Sequence, residues 1–295
     1  MNTFEELTTT LQESIFTWDY FTDFKKVILN VKKVEVELNI LNYLIGKENI
    51  EEEFIKLIEK YPNIRKALPL LIAVRKDKLK ETPIIVNIDE LIPQVKDHIF
   101  FSDLTEEIKE ELLIFFNTTG LKSIFVNKNI KNLVDYCFGV EVGLDTNARK
   151  NRTGTLMENI VAKYLTSFCE KFPEYKFIEQ GTQKRIKELF NIDMKVDKNK
   201  RRFDFVLYNS NIKKIYLFEV NYYSGGGSKL KATAGEYQYL ENFLKEQGID
   251  FIWITDGKGW LTALHPLEET FNHNRYVINL EMLKNNILYN ILDIK

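Results

Sequence analysis

Two short apolar runs, each interrupted by an acid, constrain this chain more than any other feature. Phe203-Asp204-Phe205-Val206 and Leu217-Phe218-Glu219-Val220-Asn221 read as β-strands, and Asn209-Ser210-Asn211 between them reads as a turn. Strand side chains alternate with a period of two, so Glu219 and Asn221 share a face while Phe218 and Val220 point the other way. Antiparallel pairing through the turn brings Asp204 near Glu219. Charges in a sheet are costly unless paired or bound to a metal. Two converging carboxylates with no nearby histidine form a hard, oxygen-only site of the kind Mg2+ prefers. An ion there would neutralise phosphate charge, activate a water and steady the leaving oxygen, which is the chemistry of phosphodiester hydrolysis. The competing reading makes Asp204 and Glu219 surface residues, solvated or paired with Arg201, Arg202 or Lys213.

The flanking segments predict an α/β fold: a largely helical N-terminal region over residues 1–127, then a mixed-sheet domain over 128–295. In the first region Phe4, Leu7, Leu11, Ile15 and Trp18 recur at helical spacing, as do Phe54, Leu57 and Ile58. Thr105 precedes Glu106 and Glu107 as a helix cap, with Ile108, Leu112, Phe115 and Phe116 on one face. In the second region, residues 145–154 are polar and read as a loop. A helix over 155–169 follows, with Leu156, Ile160, Tyr164 and Phe168 as its apolar stripe. The two acid-bearing strands span 202–208 and 215–221. A glycine-rich loop over 224–229, a helix over 231–247 and a strand over 251–255 complete the pattern.

Composition excludes several classes. No apolar run reaches the ~18 residues of a membrane span, and the first residues lack the basic-then-apolar order of a signal peptide, so the expected location is cytoplasmic. Two cysteines, Cys137 and Cys169, make no disulfide framework, and three scattered histidines make neither a zinc site nor a histidine-based triad. Gly225-Gly226-Gly227 lacks a GK[ST] ending, so no nucleotide cofactor is expected. The net charge of −2 hides an asymmetry: residues 145–231 carry 18 Lys/Arg against 10 Asp/Glu, and the remainder is acidic. That is the distribution of a nucleic-acid face on an acidic body, or of a solvated surface.

The spacing of Asp204 and Glu219-Val220-Asn221 resembles the PD-(D/E)xK nuclease core. The whole chain resembles the DpnII/MboI-type restriction endonucleases, on motifs running from Trp18-Asp19-Tyr20-Phe21-Thr22-Asp23-Phe24 to Trp253-Ile254-Thr255-Asp256-Gly257-Lys258-Gly259-Trp260. Asp145-Thr146-Asn147, Arg149-Lys150-Asn151-Arg152-Thr153-Gly154, Met157-Glu158-Asn159, Arg202-Phe203-Asp204-Phe205-Val206 and Gly227-Ser228-Lys229-Leu230 lie between them. The resemblance implies a Mg2+-dependent type II endonuclease that cuts double-stranded DNA at GATC as a homodimer and is blocked by adenine methylation. It implies Asp204 and Glu219 as metal ligands, with Glu158 on the preceding helix as a third. The superfamily's usual lysine is Asn221 here. Asparagine cannot take up a proton or carry charge, so water activation would fall to the metal, with Lys229 in the glycine loop as the substitute cation.

Asn147, Arg149, Lys150, Asn151 and Arg152 are expected to touch DNA, since arginine pairs with guanine and asparagine with adenine in the major groove. Phosphate contacts are the plainer role. Arg202, Ser228 and Lys229 join this set. Lys198-Asn199-Lys200-Arg201-Arg202 reads as a backbone contact or a solvated charge run. The alternatives are another Mg2+ endonuclease built on the same core, serving repair or a mobile element, and a DNA-binding protein that has lost catalysis.

Overall fold

The computed structural model describes residues 3–85 and 91–294, save the side chains of Lys150 and Asn151. It divides into two compact units, one formed by residues 1–17 and 150–295, the other by residues 18–149. The boundary expected at 127/128 therefore falls elsewhere. The helix Leu133–Thr146 belongs with the helical unit, where Leu133 and Cys137 join its core. The first seventeen residues belong with the sheet, because Leu7 and Leu11 are buried in the sheet core.

The helical unit follows its apolar periodicity. Ile50–Lys60 buries Phe54, Leu57 and Ile58. Glu106–Thr118 is capped by Thr105, whose hydroxyl accepts from the Ile108 amide at 3.2 Å, and it buries Ile108, Leu112 and Phe116. Phe54 and Phe116 stack with centroids 4.3 Å apart. Arg65 is buried here with its guanidinium donating to the carbonyls of Pro62, Ile99 and Ser102, so the charge is not left unsatisfied.

The sheet unit holds the acid-bearing strands. Numbered along this unit, its main elements are α1 (Phe4–Thr9), α2 (Arg149–Lys171), β1 (Tyr175–Thr182), α3 (Gln183–Phe190), β2 (Arg202–Asn209), β3 (Lys214–Tyr222), α4 (Ser228–Lys245), β4 (Asp250–Asp256), α5 (Leu264–His273) and β5 (Val277–Ile278). The five strands lie in the order β1-β2-β3-β4-β5. β1–β2 and β2–β3 pair antiparallel, β3–β4 and β4–β5 parallel. The expected mixed sheet and the hairpin through Asn209-Ser210-Asn211 are both present. The parallel steps are made through α4 and α5, the crossovers such pairing requires.

Four local expectations change. Helix α1 stops at Thr9 rather than running on to Trp18, and the hydroxyls of Thr8, Thr9 and Thr10 all turn back to carbonyls in the helix. The polar stretch 145–154 is not a loop: α2 begins at Arg149, and only Asn147 and Ala148 form a turn. The buried stripe of α2 is Met157, Val161, Leu165 and Phe168, one residue from the expected one, with Ile160 and Tyr164 only partly buried. Strand β1 was not expected, because Glu179-Gln180-Gly181 are poor strand formers.

Asp256 ties the unit together. Its buried carboxylate accepts from the amides of Gln12 at 2.6 Å, Gly257 at 2.6 Å and Leu280 at 2.9 Å, joining the N-terminal segment and the C-terminal helices to the end of β4. Gly257 follows at φ +100°, and a Cβ there would meet the Tyr223 carbonyl oxygen at 2.2 Å, so only glycine fits this turn. Asp256→Asn keeps one acceptor oxygen and strands at least one of three amides. It should lower the stability of unfolding by about 1–3 kcal/mol in urea titrations, and an unchanged midpoint would show that the carboxylate is dispensable.

Candidate active site

The β2–β3 ladder places the two acids side by side. Phe205 pairs with Phe218, and one step further towards the open end of the hairpin sets Asp204 across from Glu219. The Asp204 carboxylate also accepts from the Val220 amide at 2.8 Å. Asp204 is half-buried and Glu219 is 7% exposed. Burial pushes both carboxyls above the ordinary carboxylate range, Glu219 the further, and the neighbouring Asp204 charge adds to the rise at Glu219. Lys213, one offered partner, lies in the turn at the opposite end of this ladder.

The surroundings hold Glu219 from two sides. The Tyr237 phenol on α4 donates to Oε2 at 3.3 Å, and burial first and the Glu219 charge second push that phenol far above its usual range, so it remains a donor. The Arg201 guanidinium approaches Oε1 at 3.6 Å. Oε1 nonetheless has no hydrogen-bond donor among the described residues, although it is buried. Asn221 sits two residues on, half-buried on the same face, and its Oδ1 accepts from the Trp253 indole at 2.8 Å. That contact follows from the parallel register, which pairs Glu219 with Trp253 across β3 and β4.

Glu158 of α2 lies within electrostatic reach of Asp204. It is half-buried next to the core residue Met157, and its Oε2 accepts from the Gln180 side-chain amide at 2.8 Å. Burial, and then the Asp204 charge, raise its carboxyl above the ordinary range. Gln180 lies in β1 with φ +53°, a conformation uncommon outside glycine. The β1–β2 ladder pairs Glu179 with Phe205 and Gly181 with Phe203 but skips the pair between them, which would set Gln180 against Asp204. Arg185 donates to the Glu179 carbonyl at 2.6 Å and the Gln180 carbonyl at 3.0 Å, fixing the kink.

A divalent cation fits this arrangement. The donors are carboxylate oxygens, and one of them is buried with no donor facing it. Among the described residues no three His, Cys, Asp or Glu side chains already stand together as a complete ligand group. Mg2+ needs no such group, since it usually takes one or two carboxylates and completes its shell with water and phosphate.

The other expected residues are dispersed. Asn147 is exposed in the turn before α2. Arg149 is half-buried, donates to the Phe21 carbonyl at 3.3 Å and lies 5.4 Å from the Phe21 ring centroid. Arg152 is half-buried in the first turns of α2. The side chains of Lys150 and Asn151 lie outside those described. Arg202 is exposed at the start of β2 but stands by the site, where its charge opposes the rise at Asp204 and at Glu158. Ser228 and Lys229 are exposed, but in the first turn of α4 rather than in a glycine loop. Gly226 in the loop before them packs closely against Thr262, where a Cβ would meet the hydroxyl at 2.3 Å.

Arg201 departs most from expectation. It is 7% exposed, not part of a solvated run, because a Lys198–Arg201 turn with Lys200 at φ +62° directs it inward. Arg201 was offered only as a pairing partner of the acids or as part of a charge run, and Gln180, Tyr237 and Trp253 are site neighbours that the sequence analysis assigned no role there. Asp197, four residues before Arg201, was the one available signal, because a buried guanidinium requires such a partner. Burial pushes the thiols of Cys137 and Cys169 up to about 12 and about 11, so neither supplies a thiolate.

The comparisons with known proteins identify the family. The sequence pattern that defines the DpnII restriction endonuclease family matches residues 3–290. The type II restriction enzyme MjaIII of Methanocaldococcus jannaschii is 50% identical over 98% of this chain and 99% of its own length. The type II restriction enzyme DpnII of Streptococcus pneumoniae is 43% identical over 98% of both chains. The type II restriction enzyme MboI of Moraxella bovis is 39% identical over 95% of this chain and 93% of its own. No solved structure matches significantly. With a match of this extent and full-length relatives of one kind, the chain belongs to the DpnII restriction endonuclease family and is a type II site-specific deoxyribonuclease.

Proposed function

We propose that this enzyme cuts both strands of DNA at GATC in a Mg2+-dependent reaction, as a two-fold homodimer, and that methylation of the adenine N6 blocks it. The observation that carries the reading is the buried Asp204–Glu219 pair, with one carboxylate oxygen unsatisfied, in a chain of a restriction endonuclease family. GATC is the target implied by the chain-wide motif resemblance. Because GATC is its own reverse complement, two copies of one reading surface related by a two-fold axis match it. No nucleotide cofactor is needed for this chemistry.

Asp204 and Glu219 would hold the ion, with Glu158 beside them under the Gln180 amide. When bound, Mg2+ supplies charge neutralisation at the scissile phosphate and lowers the pKa of a water. Tyr237 fixes one Glu219 oxygen. Asn221 has its oxygen committed to Trp253 and its amide group also faces the Tyr237 phenol, so it can orient a water through a remaining N–H but cannot take that water's proton. Asn147, Arg149, Lys150, Asn151 and Arg152 read bases or hold phosphates. Arg202, Ser228 and Lys229, exposed at the starts of β2 and α4, suit phosphate contacts.

Digestion of a sequenced plasmid with ends mapped decides the matter. Cuts confined to GATC with Mg2+, none with EDTA and none on adenine-methylated plasmid are expected; scattered cuts, cutting in EDTA, or equal digestion of both plasmids would contradict the reading. Asp204→Ala and Glu219→Ala should each reduce single-turnover cleavage by at least ~10²–10³-fold while binding a GATC duplex normally in Ca2+. Near-normal cutting by either would remove that residue from the metal site. Lys229→Ala should weaken duplex binding and lower its salt dependence by about one charge, leaving the single-turnover rate unchanged. Sedimentation of a short GATC duplex with the enzyme should show two chains per duplex, and a single chain that cuts both strands in one event would overturn the dimer.

A further inference from the structure

We infer that Arg201 supplies the positive charge this site lacks at Asn221, its Nη1 contacting an oxygen of the scissile phosphate beside Glu219. The inference rests on the reading of Asp204 and Glu219 as the metal-holding pair. The guanidinium is clamped on two of its three nitrogens. Nε donates to Asp197 Oδ1 at 2.7 Å, while Nη2 binds Asp197 Oδ2 and Glu236 Oε1, the latter at 3.1 Å. Glu236 belongs to α4 and is itself held by Lys198 at 2.7 Å. Nη1 is the nitrogen without a hydrogen bond among the described residues. It points at Glu219 Oε1 from 3.6 Å, beyond hydrogen-bond reach of a buried site oxygen that has no donor among the described residues.

A guanidinium that only neutralised Glu219 would close on it, because a bidentate or direct contact is available to it at little cost. Here the clamp on Asp197 and Glu236 holds the charge short of contact. A phosphate oxygen drawn to an ion on Asp204 and Glu219 would sit next to Oε1, within reach of the free N–H groups. Arginine suits this role because its planar fork can be fixed on one edge and still present donors on another, and it stays charged at every working pH. Of the other cations near in sequence, Arg202 is exposed and acts on Asp204 and Glu158, whereas Arg201 acts on Glu219; Lys229 is exposed and makes no ion pair or hydrogen bond among the described residues.

Arg201→Gln and Arg201→Lys separate this role from a structural one. Both lose the bidentate clamp on Asp197, and only the lysine variant keeps a charge. At saturating enzyme and Mg2+, Arg201→Gln should cleave a GATC duplex ~10²–10³-fold more slowly than the unaltered enzyme, with Arg201→Lys recovering about tenfold or more. Mn2+ titration of the DNA-free protein at pH 8.5, followed by electron paramagnetic resonance, provides a readout independent of cleavage. Losing a like charge beside the ion should tighten Mn2+ binding about tenfold in Arg201→Gln and leave it unchanged in Arg201→Lys. Equal rates for the two variants, cleavage by Arg201→Gln within about threefold of normal, or weaker Mn2+ binding in it would overturn the inference. Should Arg201→Gln not fold, Asp197→Asn/Arg201→Gln, which replaces the ion pair with a neutral one, is compared in its place. Glu219→Gln distinguishes the underlying reading: if it cuts normally the metal pair itself is wrong, whereas an inactive Glu219→Gln beside a fully active Arg201→Gln rejects Arg201 alone.

Discussion

Two carboxylates held face to face in an apolar sheet demand compensation, and the arrangement of the sheet unit around them follows from that demand. Asp204 and Glu219 are flanked along their strands by Phe203, Phe205, Phe218 and Val220, all buried. Burial at such positions penalises the ionised forms by an amount that ordinary strand residues never incur. The chain offsets part of this with the Val220 amide on Asp204, the Tyr237 phenol on one Glu219 oxygen and the Arg201 guanidinium facing the other. The offset is incomplete, since Glu219 Oε1 has no donor among the described residues. A site poised this way gains by taking up a divalent cation and by meeting a phosphate, which accords with membership of a restriction endonuclease family.

Much of this was legible in the sequence because strand geometry is strict. A period of two fixes which residues share a face, and a three-residue Asn-Ser-Asn signal fixes which ends of two strands meet, so the Asp204–Glu219 neighbourhood could be read from spacing alone. The mixed order of the sheet was readable for the same reason, from a helix set between two strands. Long helices were readable, but their ends were not. Arg149–Gly154 is polar on every side and carries no stripe to mark it as helical, and Ser228–Lys229 follows three glycines that suggest a loop.

Residues outside regular periodicity escaped. Gln180 acts through a left-handed backbone and a skipped ladder pair, neither of which leaves a trace in composition. Arg201 sits in a run of basic residues that looks solvated, and only the turn at Lys200 sends it inward. Trp253 packs at 0% exposure, yet its indole N–H also holds Asn221. A side chain with an apolar body and one polar atom satisfies both roles at once. The division into units escaped for a related reason. The ties that place the first seventeen residues with the sheet, such as Gln12 to Asp256, join residues far apart in the chain.

The central claim is that the buried pair is a cation site rather than a pair of acids kept neutral, and stability measured against pH tests it directly. Both carboxyls are raised by burial. A carboxyl raised in the folded state contributes stability that is complete below its unfolded value and is lost as pH rises through the folded one. In EDTA the unaltered protein should therefore lose thermal stability relative to Glu219→Gln as pH rises from about 4.5, the ordinary value for Glu219. Adding Mg2+ at neutral or higher pH should restore it, by about 2.7 kcal/mol at a hundredfold excess over the dissociation constant, and should do nothing for Glu219→Gln. Melting curves that follow one pH course in both proteins, with no response to Mg2+ in either, would contradict the account.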